Sequence, residues 1–191
     1  MTIVKDVEIR PLTPDRWAEF EELFGPRGGS EGCWCMFWRL RSSVNSGNTG
    51  EDNERAMRQI VDSGEPPGLL AYVGGEPAGW CSIEPRERFA RIENSRTMKR
   101  TDEKPGVWSL NCFVIAKKHR RGGLMTRLLD AAVDHARSHG ARVIEAYPIE
   151  PSGDLKSYHG FTGIASTFHR RGFREVSRMR DGQVLMRREL A

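Results

Sequence analysis

The segment from Val107 to Gly140, "VWSLNCFVIAKKHRRGGLMTRLLDAAVDHARSHG", constrains the fold more than any other. It opens as an apolar, strand-like run from Val107 to Ala116, breaks into a basic stretch, and passes two glycines into a helical pattern. Met125, Leu128, Leu129, Ala132, Val133 and Ala136 recur at three- and four-residue spacing, and Gly140 marks the end. A helix with one apolar stripe must bury it against another layer, and the strand that feeds it supplies a sheet.

The remaining elements fit an α/β chain. "VEIRPL", residues 7 to 12, alternates like a strand with one buried face. "TPDRWAEFEELFG" reads as a helix, with Thr13 as N-cap, Pro14 in the first turn, and Trp17, Phe20, Leu23 and Phe24 as its stripe. A second helix is expected over 52 to 62, then a hairpin around Gly74-Gly75. Residues 85 to 105 carry too many charges for a core element and read as a long excursion. "RVIEAYP" is a further strand, a short helix spans about 163 to 171, and two strands joined at Asp181-Gly182 close the chain.

The length of 191 residues suits one buried core, so residues 1–191 read as a single domain with a mixed sheet. A formal charge of +4 allows anionic ligands but lacks the clustered basicity of a nucleic-acid binder. Charges from Lys5 onward leave no signal-peptide core, and no apolar run spans a bilayer. The expectation is a cytoplasmic protein with reduced thiols and no membrane or nucleic-acid partner.

The junction at Arg120, Arg121, Gly122 and Gly123 has two readings. The first N–H groups of a helix lack internal partners and carry partial positive charge, so a glycine-bearing entry can cradle a phosphate. Equally, the glycines can simply turn a solvated connection. Neither G-x-x-x-x-G-K-[ST] nor G-x-G-x-x-G is present.

"VIAKKHRRGGLMTRLLDAAVDHA" resembles the acetyl-coenzyme A signature of the GCN5-related N-acetyltransferase (GNAT) family, [RQ]-x-x-G-x-[GA] between a strand and a helix. Arg120 matches its first position and Gly123 its glycine, whereas Met125 stands where a small residue is usual. The element order fits the family over nearly all of the chain. The resemblance implies a GNAT-like α/β fold, a mixed sheet of about seven strands splayed between the fourth and fifth and flanked by helices. It implies acetyl-CoA as co-substrate, with Phe113, Val114 and Ile115 along the pantetheine arm and N–H groups from Arg121 through Gly122, Gly123, Leu124 and Met125 to Thr126 on the pyrophosphate. Phe168 falls near the lower pantetheine, where many relatives carry an acidic tyrosine.

Acetyl transfer to an amine needs a base, a polarised carbonyl and protonation of the departing thiolate. Tyr147 and Tyr158 are candidates for the missing acid. Ser109 and Asn111 could orient a water as base, and Glu84 is the nearest carboxylate, unless it is a solvated strand-end charge. No covalent enzyme intermediate is expected.

"GCWCMFWR", residues 32 to 39, is the second unusual stretch. Cys33, Cys35, Cys81 and Cys112 lack zinc-site spacing, so no metal is expected and the thiols read as small hydrophobes. Trp34, Phe37 and Trp38, with Tyr147, are candidate walls of an amine pocket, against plain core packing. The acceptor expected is a small-molecule amine, with a protein amine or a non-catalytic acyl-CoA sensor as alternatives, in a monomer or homodimer.

Overall fold

Apolar-polar alternation in the first strand and near-continuous apolar runs in the central ones set a sheet with helices on both faces. The computed structural model describes residues 6–41, 47–98, 105–151, 160–179 and 182–190. The chain runs β1 (Val7–Pro11), α1 (Trp17–Phe24), α2 (Gly50–Asp62), β2 (Gly68–Val73), β3 (Glu76–Pro85) and α3 (Ala90–Glu93). It continues through β4 (Val107–Ile115), α4 (Leu124–Ser138), β5 (Val143–Ala146), α5 (Ala165–His169), β6 (Arg174–Arg178) and β7 (Val184–Glu189). The sheet has seven strands in the order β1-β2-β3-β4-β5-β7-β6, antiparallel except where β5 lies parallel to β4.

Local chemistry explains the helix ends. Thr49 and Asp52 form a reciprocal capping box that starts α2. Thr13 does not cap in the expected way: its hydroxyl accepts from Arg16, and Pro14–Arg16 form a tight 3-10 turn before α1 begins at Trp17. The stripe of α4 buries Leu124, Leu128, Leu129, Ala132, Val133 and Ala136 against one face of the sheet. On the other face α1 and α2 bring Trp17, Phe20, Phe24, Met57 and Val61 onto Leu70 and Trp80. Gly68 permits the crossing of β2 and β3, since a Cβ there would sit 2.1 Å from the Cys81 carbonyl oxygen.

Beneath the end of α4, Trp108 meets the ring of His135 edge-on at 5.9 Å, and His139 lies 4.2 Å from His135. Burial, and then repulsion from His139, pulls the His135 pKa down to about 4. The unfolded chain therefore takes up a proton near 6.5 that the folded chain resists until about pH 4. Stability falls as pH drops through that window. The His135→Gln variant is expected to show a shallower decline, measured as urea midpoints on either side of pH 6.5; identical slopes would refute this source.

Candidate active site

The strand–helix junction is ordered by its own backbone. Lys117–His119 make a 3-10 turn, Arg121 takes a left-handed φ of 61°, and Gly123 sits at the N-cap of α4 with φ 85°. Among the described residues the N–H groups of Arg121, Gly122, Gly123, Leu124 and Met125 have no hydrogen-bond acceptor. They converge where the dipole of a 15-residue helix is positive. The Thr126 N–H, expected to join them, instead donates to the Gly123 carbonyl at 3.0 Å. Arg120 donates its Nε to the Ile115 carbonyl at 3.0 Å, tying the turn back to β4. A Cβ on Gly123 would meet nothing within 4 Å, so the space before the turn is open.

Met125 does not narrow this cradle. Its Cε would lie 2.7 Å from a Cβ on Gly163, so the side chain turns toward the segment before α5. Leu124 is core. Phe168 is fully buried, edge-on to Phe113 at 6.2 Å and to Phe173 at 5.2 Å. It packs in the core behind β4.

β4 and β5 pair only from Val107↔Val143 to Leu110↔Ala146. Beyond Leu110, β4 runs on to Ile115, and among the described residues β3 is its only sheet partner there, so no described strand pairs with the side of Phe113, Val114 and Ile115 that faces β5. The β3 register steps from Ser82↔Cys112 to Ile83↔Leu110, which leaves Asn111 as a bulge where the strands part.

A buried polar row crosses the sheet at that point. Glu84, Ser109 and Glu145 lie directly opposite one another on β3, β4 and β5. Ser109 donates to Asn111 Oδ1 at 3.0 Å, and Asn111 Nδ2 is buried with no acceptor among the described residues. Glu84 is not a solvated strand-end charge: it is buried against Arg39, which also donates to Ser82 Oγ at 3.1 Å. Burial pushes its pKa up, and Arg39 opposes the shift.

The other end of the row centres on Arg86, which lies in the charged stretch from 85 to 105. Arg86 is 1% exposed and pairs with Glu145 and, at 2.6 Å, with Glu93. It also donates to the Tyr147 hydroxyl at 2.9 Å and to the Met98 carbonyl at 2.6 Å. Tyr147 donates to Glu145 at 3.0 Å. Burial and Glu145 hold the Tyr147 pKa above its ordinary value, so the phenol stays protonated. Tyr158 lies outside the described residues.

The acetyltransferase (GNAT) family model matches residues 34–160. The chain belongs to the GNAT family. Solved structures share its fold at low identity. The N-acetyltransferase of Staphylococcus aureus Mu50 is 10% identical, with a TM-score of 0.59 over 98% of this chain and 100% of that one. YncA of Salmonella typhimurium, solved with its cofactor acetyl-CoA, is 17% identical, with a TM-score of 0.57 over 97% of this chain and 94% of that one. An acetyltransferase from Thermus thermophilus is 18% identical, with a TM-score of 0.54 over 99% of this chain and 100% of that one. No curated protein sequence matches.

On this GNAT fold a cleft of about 330 Å³ opens beside the polar row, lined by Phe37, Trp38, Arg41, Arg91, Met98 and Gln183 among others. Of the four aromatic residues named as candidate walls of an amine pocket, Phe37 and Trp38 line this cleft. Trp34 does not: it stacks on Phe24 at 5.8 Å and Trp17 at 6.2 Å inside the α1 core. Tyr147 does not line the cleft: it lies under Trp38, stacked at 6.2 Å, and its carbonyl accepts from Gln183 at 3.0 Å.

The cysteines of this GNAT domain are free thiols, three of them buried. Cys35 Sγ accepts from Trp80 Nε1 at 3.3 Å. The Cys112 thiol, Arg39 and Trp80 together draw its pKa down to about 7 against burial. Among the described residues no cluster of His, Cys, Asp and Glu could hold a metal, and no helix is long and apolar enough to cross a membrane.

Proposed function

We propose that this GNAT domain moves the acetyl group of acetyl-CoA to the primary amine of a small molecule by direct attack, without an acetyl-enzyme. The observation that carries the reading is the edge of β4 that no described strand pairs, leading into a turn whose N–H groups at Arg121 to Met125 have no acceptor among the described residues. A linear molecule ending in a pyrophosphate fits both, and YncA holds acetyl-CoA on the same fold. Bound there, acetyl-CoA would supply an activated acetyl thioester.

In this reading Phe113 and Ile115 offer backbone groups to the pantetheine arm, and the turn holds the pyrophosphate. Asn111, oriented by Ser109, is the free donor nearest the strand separation. We assign it the positioning of the attacking amine or of a water that takes up its proton. Glu84 and Tyr158, the other acid and base candidates, serve as comparisons.

Calorimetry with acetyl-CoA and thiol release with an amine panel test the proposal. Asn111→Ala is expected to lower kcat roughly 10- to 100-fold with acetyl-CoA affinity unchanged. A larger loss in Glu84→Gln or Tyr158→Phe would move the proton-transfer role to that residue. Absence of acetyl-CoA binding would overturn the assignment, and a trapped acetyl-cysteine would overturn direct attack. Binding without turnover of any amine would favour an acyl-CoA sensor.

A further inference from the structure

The cleft contains a cation that no anion pairs among the described residues. The buried arginines of this chain face carboxylates: Arg39 meets Glu84, and Arg86 meets Glu145 and Glu93. Arg91 is different. Its Nε donates to the Phe37 carbonyl at 2.7 Å, its guanidinium lies 4.0 Å over the Phe37 ring, and its own N–H donates to the Trp38 carbonyl at 3.1 Å. Among the described residues no carboxylate pairs with it. Burial pushes its pKa down, as happens to a cation whose lost hydration is not offset by a counter-charge.

Fixing Nε leaves the two terminal nitrogens of the guanidinium to present parallel N–H donors, the geometry that grips a carboxylate through both oxygens. Arg41 adds a second positive charge to the lining, and among the described residues no Asp or Glu lines the cleft. A free ammonium compound would find no counter-charge among those lining residues. A cleft of about 330 Å³ matches a molecule the size of an amino acid.

We propose that the acceptor is an amine that itself carries a carboxylate, an amino-acid-like molecule, bound with its carboxylate on Arg91 and its apolar part against Phe37 and Trp38. The inference rests on the acetyl-transfer reading of the same site. It also disfavours a polypeptide N-terminus, whose first residue has its carboxyl locked in an amide.

Matched pairs of acceptors test this: phenylalanine against phenethylamine, methionine against 3-methylthiopropylamine, and glycine against methylamine, with phosphoethanolamine as an amine bearing a different anion. Under saturating acetyl-CoA, kcat/KM is expected to favour the carboxylated member of at least one pair by about 100-fold, mostly through KM. Arg91→Gln should shrink that preference to within a few-fold, and Arg91→Lys should restore part of it. Acetyl-CoA affinity and melting temperature should stay near the parent values in both variants, which separates lost recognition from lost folding. Preference for the decarboxylated amines or for phosphoethanolamine overturns the proposal, as does a carboxylate preference that survives Arg91→Gln. So does acetyl-CoA binding with no turnover of any carboxylated acceptor. Failure to bind acetyl-CoA at all overturns the underlying reading instead.

Discussion

Arg86→Met is expected to destabilise the fold by about 3–5 kcal/mol, because it removes one partner from a buried charge network and leaves the other charged. Glu145 is 1% exposed and, among the described residues, would keep only the Tyr147 hydroxyl and Arg187, whose Nε lies 3.5 Å away. The freed Met98 carbonyl would lose its partner as well. Chemical denaturation measures the loss. The double variant Arg86→Met, Glu145→Leu should recover part of it, since replacing a buried pair by apolar groups of similar size is often neutral, while the buried Tyr147 hydroxyl loses both Arg86 and Glu145. A single variant that costs less than about 1 kcal/mol would mean that water reaches the network and screens it.

Gly123→Ala is expected to weaken acetyl-CoA binding about 30-fold or more while lowering stability by only about 1 kcal/mol. The stability cost comes from a Cβ at φ 85°, a backbone that L-residues resist. The affinity cost comes from the position of that Cβ, which meets no protein atom within 4 Å and so projects into the space where a phosphate would approach. Gly140→Ala is the control. It has φ 80° and equally open surroundings but lies at the far end of α4, away from the turn. It should show the same loss of stability with full affinity, by denaturation and calorimetry. Equal affinities in the two variants would remove the pyrophosphate from the Gly123 turn.

What the sequence made legible was local. Period-two alternation in β1, the stripe of α4 and the glycine at its entry each depend on residues close in the chain, and each is found at its expected position. The errors arose where burial depends on distant partners. Arg86 looks solvated within "PRERFARIE" because its buried carboxylate partner, Glu145, is 59 residues away, although Glu93 of the same stretch also pairs with it. The burial of Glu84 leaves no local signal for the same reason, since Arg39 lies on a different loop.

Trp34 and Trp38 show a different limit. A spacing of four residues suggests a shared helix face, yet Trp34 and Cys35 adopt left-handed φ values of 44° and 60°. The chain therefore turns between the two tryptophans and sends them into separate clusters. That no described carboxylate pairs with Arg91 has no sequence signal at all, since it is a property of the assembled neighbourhood.

The short β4–β5 ladder has a consequence for how the molecule holds together. Four residue pairs join one half of the sheet to the half made by β5, β7 and β6. In the proposed reading the coenzyme lies along the seam where that ladder stops and closes it as a keystone closes an arch. Losing the coenzyme would then loosen the joint between the halves, so occupancy of the site and cohesion of the sheet would rise and fall together.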